Sequence, residues 1–255
     1  PGMTPQAGGL ITVRLDVATE QDAEFNDWYT LEHVPQLTAL PGFVRTRRYF
    51  CEKADIRYLA WYETADDGVE AAKDFQHIVT NPTPWSLRMR KHYGNKRERM
   101  NFRLMCEVGN VPSPDAPWMY IVHTDIPDHI VDEYNEWYDK EHLPRCVGIP
   151  GVLRARRFMS TGILGGTSDG PKYLTAYEMT GPDVWESPAA LQAKDTVDRK
   201  NALAVQQYAA RTLPAGRTNR DARRSPETET GIRHLTGTKS ARTRLPPRSS
   251  GLVQA

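Results

Sequence analysis

Cysteine is scarce in this chain. Only Cys51, Cys106 and Cys146 occur, an odd number without CxxC spacing, which argues against a disulfide framework and against a zinc site. No run approaches the roughly 20 apolar residues of a membrane span, so no membrane partner is expected. GxGxxG, GxxxxGK[ST] and HExxH are all missing, which leaves nucleotide-cofactor, phosphate-loop and zinc-protease readings without support. One serine-hydrolase pattern fits formally, "GTSDG" around Ser168, but it sits in a glycine-rich hairpin between strands and not in the strand-to-helix turn that such a nucleophile needs. The opening "PGMTPQAGGL" shows neither an export nor a transit pattern, and cytoplasm is the expected compartment.

The net charge of +1 conceals an uneven distribution. Residues 211–255 hold ten Lys or Arg against three Asp or Glu, which leaves residues 1–210 at a net −6. A mildly acidic body does not suit nucleic acid, whose phosphates need a basic face. The segment from Arg217 onward has no Phe, Tyr or Trp, and a disordered basic tail is expected there.

What is present is a repeat. "NDWYTLEHVPQLTALPGFVRTRRY" from Asn26 returns as "NEWYDKEHLPRCVGIPGVLRARRF" from Asn135, an offset of 109 residues. Asp16 then matches Asp125, Trp28 matches Trp137, Tyr29 matches Tyr138 and His33 matches His142. "LITVRLDV" alternates at period two as a half-buried strand does. A helix is predicted from about Glu20 to Val34, ending before Pro35 because a residue preceding proline is pushed out of helical geometry. A hairpin, a second helix and the strand "MNFRLMCEV" complete a βαββαβ order, which places both helices on one face of a sheet. The other face needs a cover, and a tandem copy supplies it. The expected fold class is α+β: two tandem ferredoxin-like βαββαβ repeats packed sheet to sheet as an intramolecular α+β barrel. Its parts are a flexible N-terminus (1–9), a first repeat (10–108), a linker (109–117), a second repeat (118–210) and the tail (211–255). In the second repeat a helix is read through Arg211, and only "GIRHLTG" offers a faint fourth strand.

Asn26, Tyr29 and His33 fall on one helical stripe, and Asn135, Tyr138 and His142 repeat it. Two readings stand for His33 and His142. Each is a proton shuttle near neutrality, or a helix-end cap on the last carbonyls. Arg45 and Arg47, with their mates Arg154 and Arg156, share a strand face with Phe43 and Tyr49. They call for acids or an anionic ligand, with Asp16 and Asp125 as the expected internal partners. His123 lies on the strand face of Asp125, a His/Asp pairing the first half lacks, and this favours His142 over His33 as the working residue.

The helices "FNDWYTLEHVP" and "YNEWYDKEHLP", each followed by "PG" and an arginine-bearing strand, resemble the EthD-like branch of the dimeric α+β barrel proteins. The resemblance covers about residues 10–108 and 118–210. It implies a cofactor-independent dehydratase, decarboxylase, cyclase or isomerase of a small aromatic or cyclic metabolite, while haem enzymes and monooxygenases also belong to the superfamily. In its enzymes a histidine near the end of this helix often faces the pocket, which maps onto His33 and His142. The function expected is therefore a lyase or isomerase without cofactor or metal, in which a histidine moves a proton. Tyr29 or Tyr138 steadies an oxyanion, and Arg45, Arg47 or their mates hold an acid group. A non-catalytic ligand-binding or stress-response barrel is the alternative, and an open cavity between the sheets, as against a filled barrel, is what would favour the enzyme. The partner is a small molecule, and the chain is a monomeric pseudo-dimer or a homo-oligomer through outer edges.

Overall fold

The computed structural model describes residues 7–52, 54–93, 97–110, 116–162, 171–190 and 204–212, the last as backbone only. The expected tail beyond Thr212, "GIRHLTG" and the hairpin around Ser168 lie outside the described residues.

Eight strands form one closed antiparallel ring. In chain order they are β1 (Gly9–Leu15), β2 (Phe43–Phe50), β3 (Tyr58–Thr64), β4 (Arg97–Gly109), β5 (Trp118–Asp125), β6 (Val152–Ser160), β7 (Tyr173–Met179) and β8 (Ala204–Thr212). Round the ring the order is β1-β3-β2-β8-β5-β7-β6-β4. The chain is thus a mixed α+β barrel, with helices outside. Among the described residues no helix is long and apolar enough to cross a membrane.

One expectation is corrected here. The helix read through Arg211 gives way to strand β8 at Ala204–Thr212, which pairs along β5 from Asp125↔Ala204 to Trp118↔Arg211 and reaches β2 at Phe50↔Arg211. Alanine and glutamine favour helices, but β5 and β2 each present an otherwise bare edge, and pairing those backbone groups outweighs propensity.

The helices also depart from the simple reading. Helix α1 (Asp22–Trp28) does not stop before Pro35. It passes through a π-turn at Tyr29–His33 into α2 (Val34–Thr38). The Val34 amide bonds back to the Tyr29 carbonyl, one residue further than in an α-helix, and Pro35 then falls in the first turn of α2, where no amide is needed. The second half repeats this with α5 (Val131–Trp137), a π-turn at Tyr138–His142 and α6 (Leu143–Val147). Two further helices, α3 (Lys73–Thr80) and α4 (Pro84–Tyr93), lie over the first half of the sheet.

Inside the ring, Leu10, Tyr49, Trp61, Phe102, Ile121 and Phe158 belong to one buried cluster. Arg47 of β2 and Arg156 of β6 turn to the same side because each strand carries a register irregularity, between Phe43 and Arg45 and between Val152 and Arg154. A one-residue slip exchanges the two faces of a strand. Phe43 and Val152 therefore turn to the helices while Arg47, Tyr49, Arg156 and Phe158 turn inward, correcting the expectation that Phe43 shares a face with Arg47.

The expected partners of these arginines are corrected as well. Arg47 donates to Glu63 at 2.7 Å and to Glu178 at 3.3 Å. Arg156 donates to Glu63 at 2.9 Å and to Glu178 at 2.7 Å, and Arg154 adds a 2.7 Å bond to Glu178. Arg45 lies opposite Glu63 in the β2–β3 register. Asp16 serves Arg57 instead, at 2.8 Å, and Asp125 accepts the Lys172 backbone amide at 2.7 Å. Burial alone would raise the Glu63 carboxyl, but Arg156 and Arg47 outweigh it and hold the group at about 2. Its folded value is thus below its ordinary 4.5, so the stability it contributes is present above that pH and is lost as pH falls toward 2.

Removing one acid from this cluster strands buried guanidinium charge. Glu178→Gln is expected to cost about 3–5 kcal/mol in urea unfolding at pH 7. A loss under about 1 kcal/mol, the level of a surface pair, would contradict the role given to the cluster.

Candidate functional site

Each π-turn sets an aromatic–histidine constellation against the outer face of the sheet. In the first half Tyr29 is buried, and the Tyr62 hydroxyl of β3 donates to its oxygen at 3.4 Å. The His33 ring stacks on the Trp28 indole, with centroids 4.6 Å apart and planes 17° apart, and meets Tyr29 edge-on at 5.1 Å. Trp28 is itself fixed, because its indole N–H donates to Glu32 and to Ser86 at 3.1 Å each.

A cavity of about 280 Å³ opens beside this group, between the outer face of β1 and β4 and the helices above them. Trp28, Phe43, Phe75 and Val79 form an apolar wall. Tyr29, Tyr62, His33 and Tyr93 supply polar atoms, and Arg90, Arg97 and Arg99 line it too. Arg90 and Arg97 are exposed, so the cavity reaches solvent at their end. Sites of this kind, mostly apolar with a few convergent polar groups, are where small ligands bind.

The electrostatics are specific. Burial lowers the His33 imidazole to about 3, and Arg90, Arg97, Arg48 and Arg99 reinforce the shift. His33 is therefore neutral at physiological pH and can accept a proton. Burial raises Tyr29 despite the Tyr62 hydrogen bond and the nearby Arg48, and it raises Tyr62 further. Both phenols keep their protons and can donate. Arg48 sits 4.4 Å over the Tyr29 ring and donates to Asn26 at 2.7 Å.

In the second half His142 Nε2 lies 3.2 Å from the Tyr177 hydroxyl and 3.5 Å from Cys146 Sγ, and the Tyr138 and Tyr177 hydroxyls are 3.1 Å apart. Trp185 packs on Tyr177 at 4.7 Å. The cavity beside His33 does not extend to these residues.

The structure thus brings His33 together with Tyr29, and His142 together with Tyr138, as the helical spacing suggests. It keeps Arg45, Arg47, Arg154 and Arg156 apart from both, on the inner face of the sheet. His123 is also on that inner face, packed toward Phe102, and burial lowers it to about 3. The His123–Asp125 argument for His142 loses its basis, since His142 lies on the helix side. An aromatic cluster and the buried charges occupy the inner side of the sheet, and the cavity beside His33 lies under the helices. Sequence reasoning passes over Arg48, Arg97 and Arg99. The adjacent pair "RR" at Arg47 and Arg48 is the available signal, because neighbouring strand residues must face opposite sides.

His33 binds more protons unfolded than folded between its ordinary 6.5 and its folded value near 3, so stability is expected to fall as pH drops through that window, with His123 contributing in the same direction. Site-resolved NMR of the imidazole nitrogens should show His33 neutral down to about pH 4.5 in the free protein. A midpoint near 6.5 would contradict the assigned environment.

No family model and no curated relative matches this sequence. Similarity appears in three dimensions. An anthrone oxidase-like protein superposes with a TM-score of 0.57 at 11% identity, covering 83% of this chain and 94% of the other. A candidate monooxygenase from Fusobacterium nucleatum gives 0.56 at 8%, covering 82% and 94%. A chlorite dismutase variant from Candidatus Nitrospira defluvii gives 0.56 at 9%, covering 82% and 92%. At these identities the likeness concerns the fold alone.

Proposed function

We propose that this chain is a cofactor-independent lyase or isomerase acting on a small aromatic or cyclic metabolite in the first-half cavity. The observation that carries this reading is the meeting, in one solvent-reaching cavity, of a neutral imidazole with two protonated phenols. His33 takes a proton from a carbon next to a carbonyl, and the electron pair moves onto the carbonyl oxygen. Tyr29 or Tyr62 donates a hydrogen bond to the oxygen as charge develops there. Return of the proton to another carbon gives isomerisation; departure of a leaving group gives elimination. A base held at about 3 is weak, and negative charge arriving beside it strengthens it.

In this reading the chain is a tandem duplication of a ferredoxin-like unit, supported by the ring order β4-β1-β3-β2 in its first half and by the paired π-turns. Arg47 and Arg156 hold the halves together and do not bind substrate. A haem does not fit the cavity as it stands: about 280 Å³ lies at the small end of ligand pockets, and one face of the His33 ring is covered by Trp28. The alternative, a ligand-binding protein without catalysis, shares the cavity and differs only in what His33 does. The cavity under the helices, and not one between the sheets, gives the enzyme reading its place.

Proton abstraction can be read without knowing the product. In D₂O, with a panel of small aromatic ketones and keto acids, the protein should catalyse exchange of the hydrogen next to the carbonyl. His33→Gln should slow that exchange about 10²- to 10⁴-fold at nearly unchanged melting temperature, whereas His142→Gln should leave it intact. Equal exchange by wild type and His33→Gln would remove the catalytic assignment.

A further inference from the structure

The two halves handle one charge beneath the helices differently, Arg157 being buried and Arg48 half-buried. Arg157 donates to Asn135 at 2.5 Å and to Asp139 at 3.0 Å, with its guanidinium 4.5 Å over the Tyr138 ring. Arg48 repeats this geometry: it donates to Asn26 at 2.7 Å and to Thr30 at 3.4 Å, and sits 4.4 Å over Tyr29. Thr30 stands where the second half has Asp139. The carboxylate that neutralises Arg157 is therefore replaced by a hydroxyl beside Arg48, and among the described residues no carboxylate is bonded to Arg48. Even half-burying a guanidinium without a counter-charge has a cost, and one acidic side chain at position 30 would relieve it within the same geometry.

That uncompensated charge lies behind Tyr29, and Tyr29 lines the cavity. Three more arginines, Arg90, Arg97 and Arg99, line it directly, and among the described residues no Asp or Glu does. Nearby acids are already engaged. Glu70 pairs with Arg99 and accepts from Asn101 at 2.5 Å. Glu32 accepts from Thr83 at 2.5 Å and from Ser86 at 3.0 Å, behind Trp28. Arg97 lies opposite Leu15, and Arg99 opposite Val13, in the β1–β4 register, which puts both on the strand face that meets the cavity. Tyr93, whose phenol feels Arg97 and Arg90, lines the same cavity.

We propose that the first-half cavity binds an aromatic carboxylate, its ring against the wall of Trp28, Phe43 and Phe75 and its acid beside Arg97, Arg90 and Tyr93. This rests on reading the cavity as the functional site and names the class of molecule it takes. The bound acid supplies the counter-charge that Thr30 withholds. It also places negative charge near His33, whose basicity the same arginines suppress.

The test compares 4-hydroxybenzoate with 4-hydroxybenzamide, one ring with and without the charge, by calorimetry on the full chain at pH 7. The carboxylate is expected to bind at least about tenfold more tightly, as charge-assisted hydrogen bonds imply. Thr30→Asp, which copies the second half and should fold as that half does, is expected to weaken carboxylate binding about three- to tenfold and to leave the amide unchanged. Arg97→Gln, an exposed position, should act in the same direction, and the NMR midpoint of His33 should rise with the carboxylate and not with the amide. Equal binding of the two probes, saturable binding of neither, or a preference that both variants leave intact would each overturn the proposal. His33→Gln separates it from the catalytic reading. If this variant keeps the carboxylate preference while wild type shows no His33-dependent exchange, the catalytic reading falls alone. If exchange depends on His33 but the preference is missing, the aromatic-carboxylate proposal falls alone.

Discussion

A cluster of two arginines and two glutamates inside the ring governs the architecture. Arg47 and Glu63 come from the first half, Arg156 and Glu178 from the second, and each arginine bonds to both acids. All four are nearly excluded from solvent, at 5%, 6%, 3% and 1% exposure. Buried charges persist only when every partner is in place, so the halves are held in one relative position. Trp61, Tyr49 and Phe158 are buried with the cluster on the inner side of the sheet. The cavity beside His33 lies on the outer face, under the helices.

On that outer face both halves share one device. A π-turn carries the helix past a proline and points tyrosine and histidine at the sheet, and the inserted residue shifts the helical phase of the turn after it. From this shared frame the halves differ at single positions. Asp139 neutralises Arg157, whereas Thr30 takes its place beside Arg48, which among the described residues bonds to no carboxylate. Cys146, buried beside His142, stands where the first half has Leu37, one of the residues lining the open cavity. One frame thus carries a packed histidine and a histidine facing ligand space. Identical motifs do not imply identical roles.

Much of this fold can be read from the chain itself. Alternation at period two locates the strands, the 109-residue offset exposes the repetition, and the common spacing of Tyr29 with His33 and of Tyr138 with His142 groups each pair correctly. What the sequence hides are one-residue irregularities. The slips after Phe43 and Val152 reverse which arginines enter the ring, and nothing in "GFVRTRRY" announces them. The acids that meet those arginines, Glu63 and Glu178, sit on neighbouring strands at a register that only the folded sheet sets, so in sequence Asp16 and Asp125 look equally suitable. Strand β8 reads as helix because its need for pairing comes from β5 and β2, both distant in sequence. The cavity arginines come from β4 and α4, outside the repeated motif that draws attention to the histidines.

The central claim is that ligand binds under the first-half helices and not within the ring or beside His142. A crystal structure of the full chain with a bound aromatic carboxylate tests it most directly. The account predicts density for the ring against Trp28 and Phe75, with the acid within hydrogen-bonding distance of Arg97 or Arg90. Density inside the ring at Arg47 and Arg156, or against His142 and Tyr177, would contradict it.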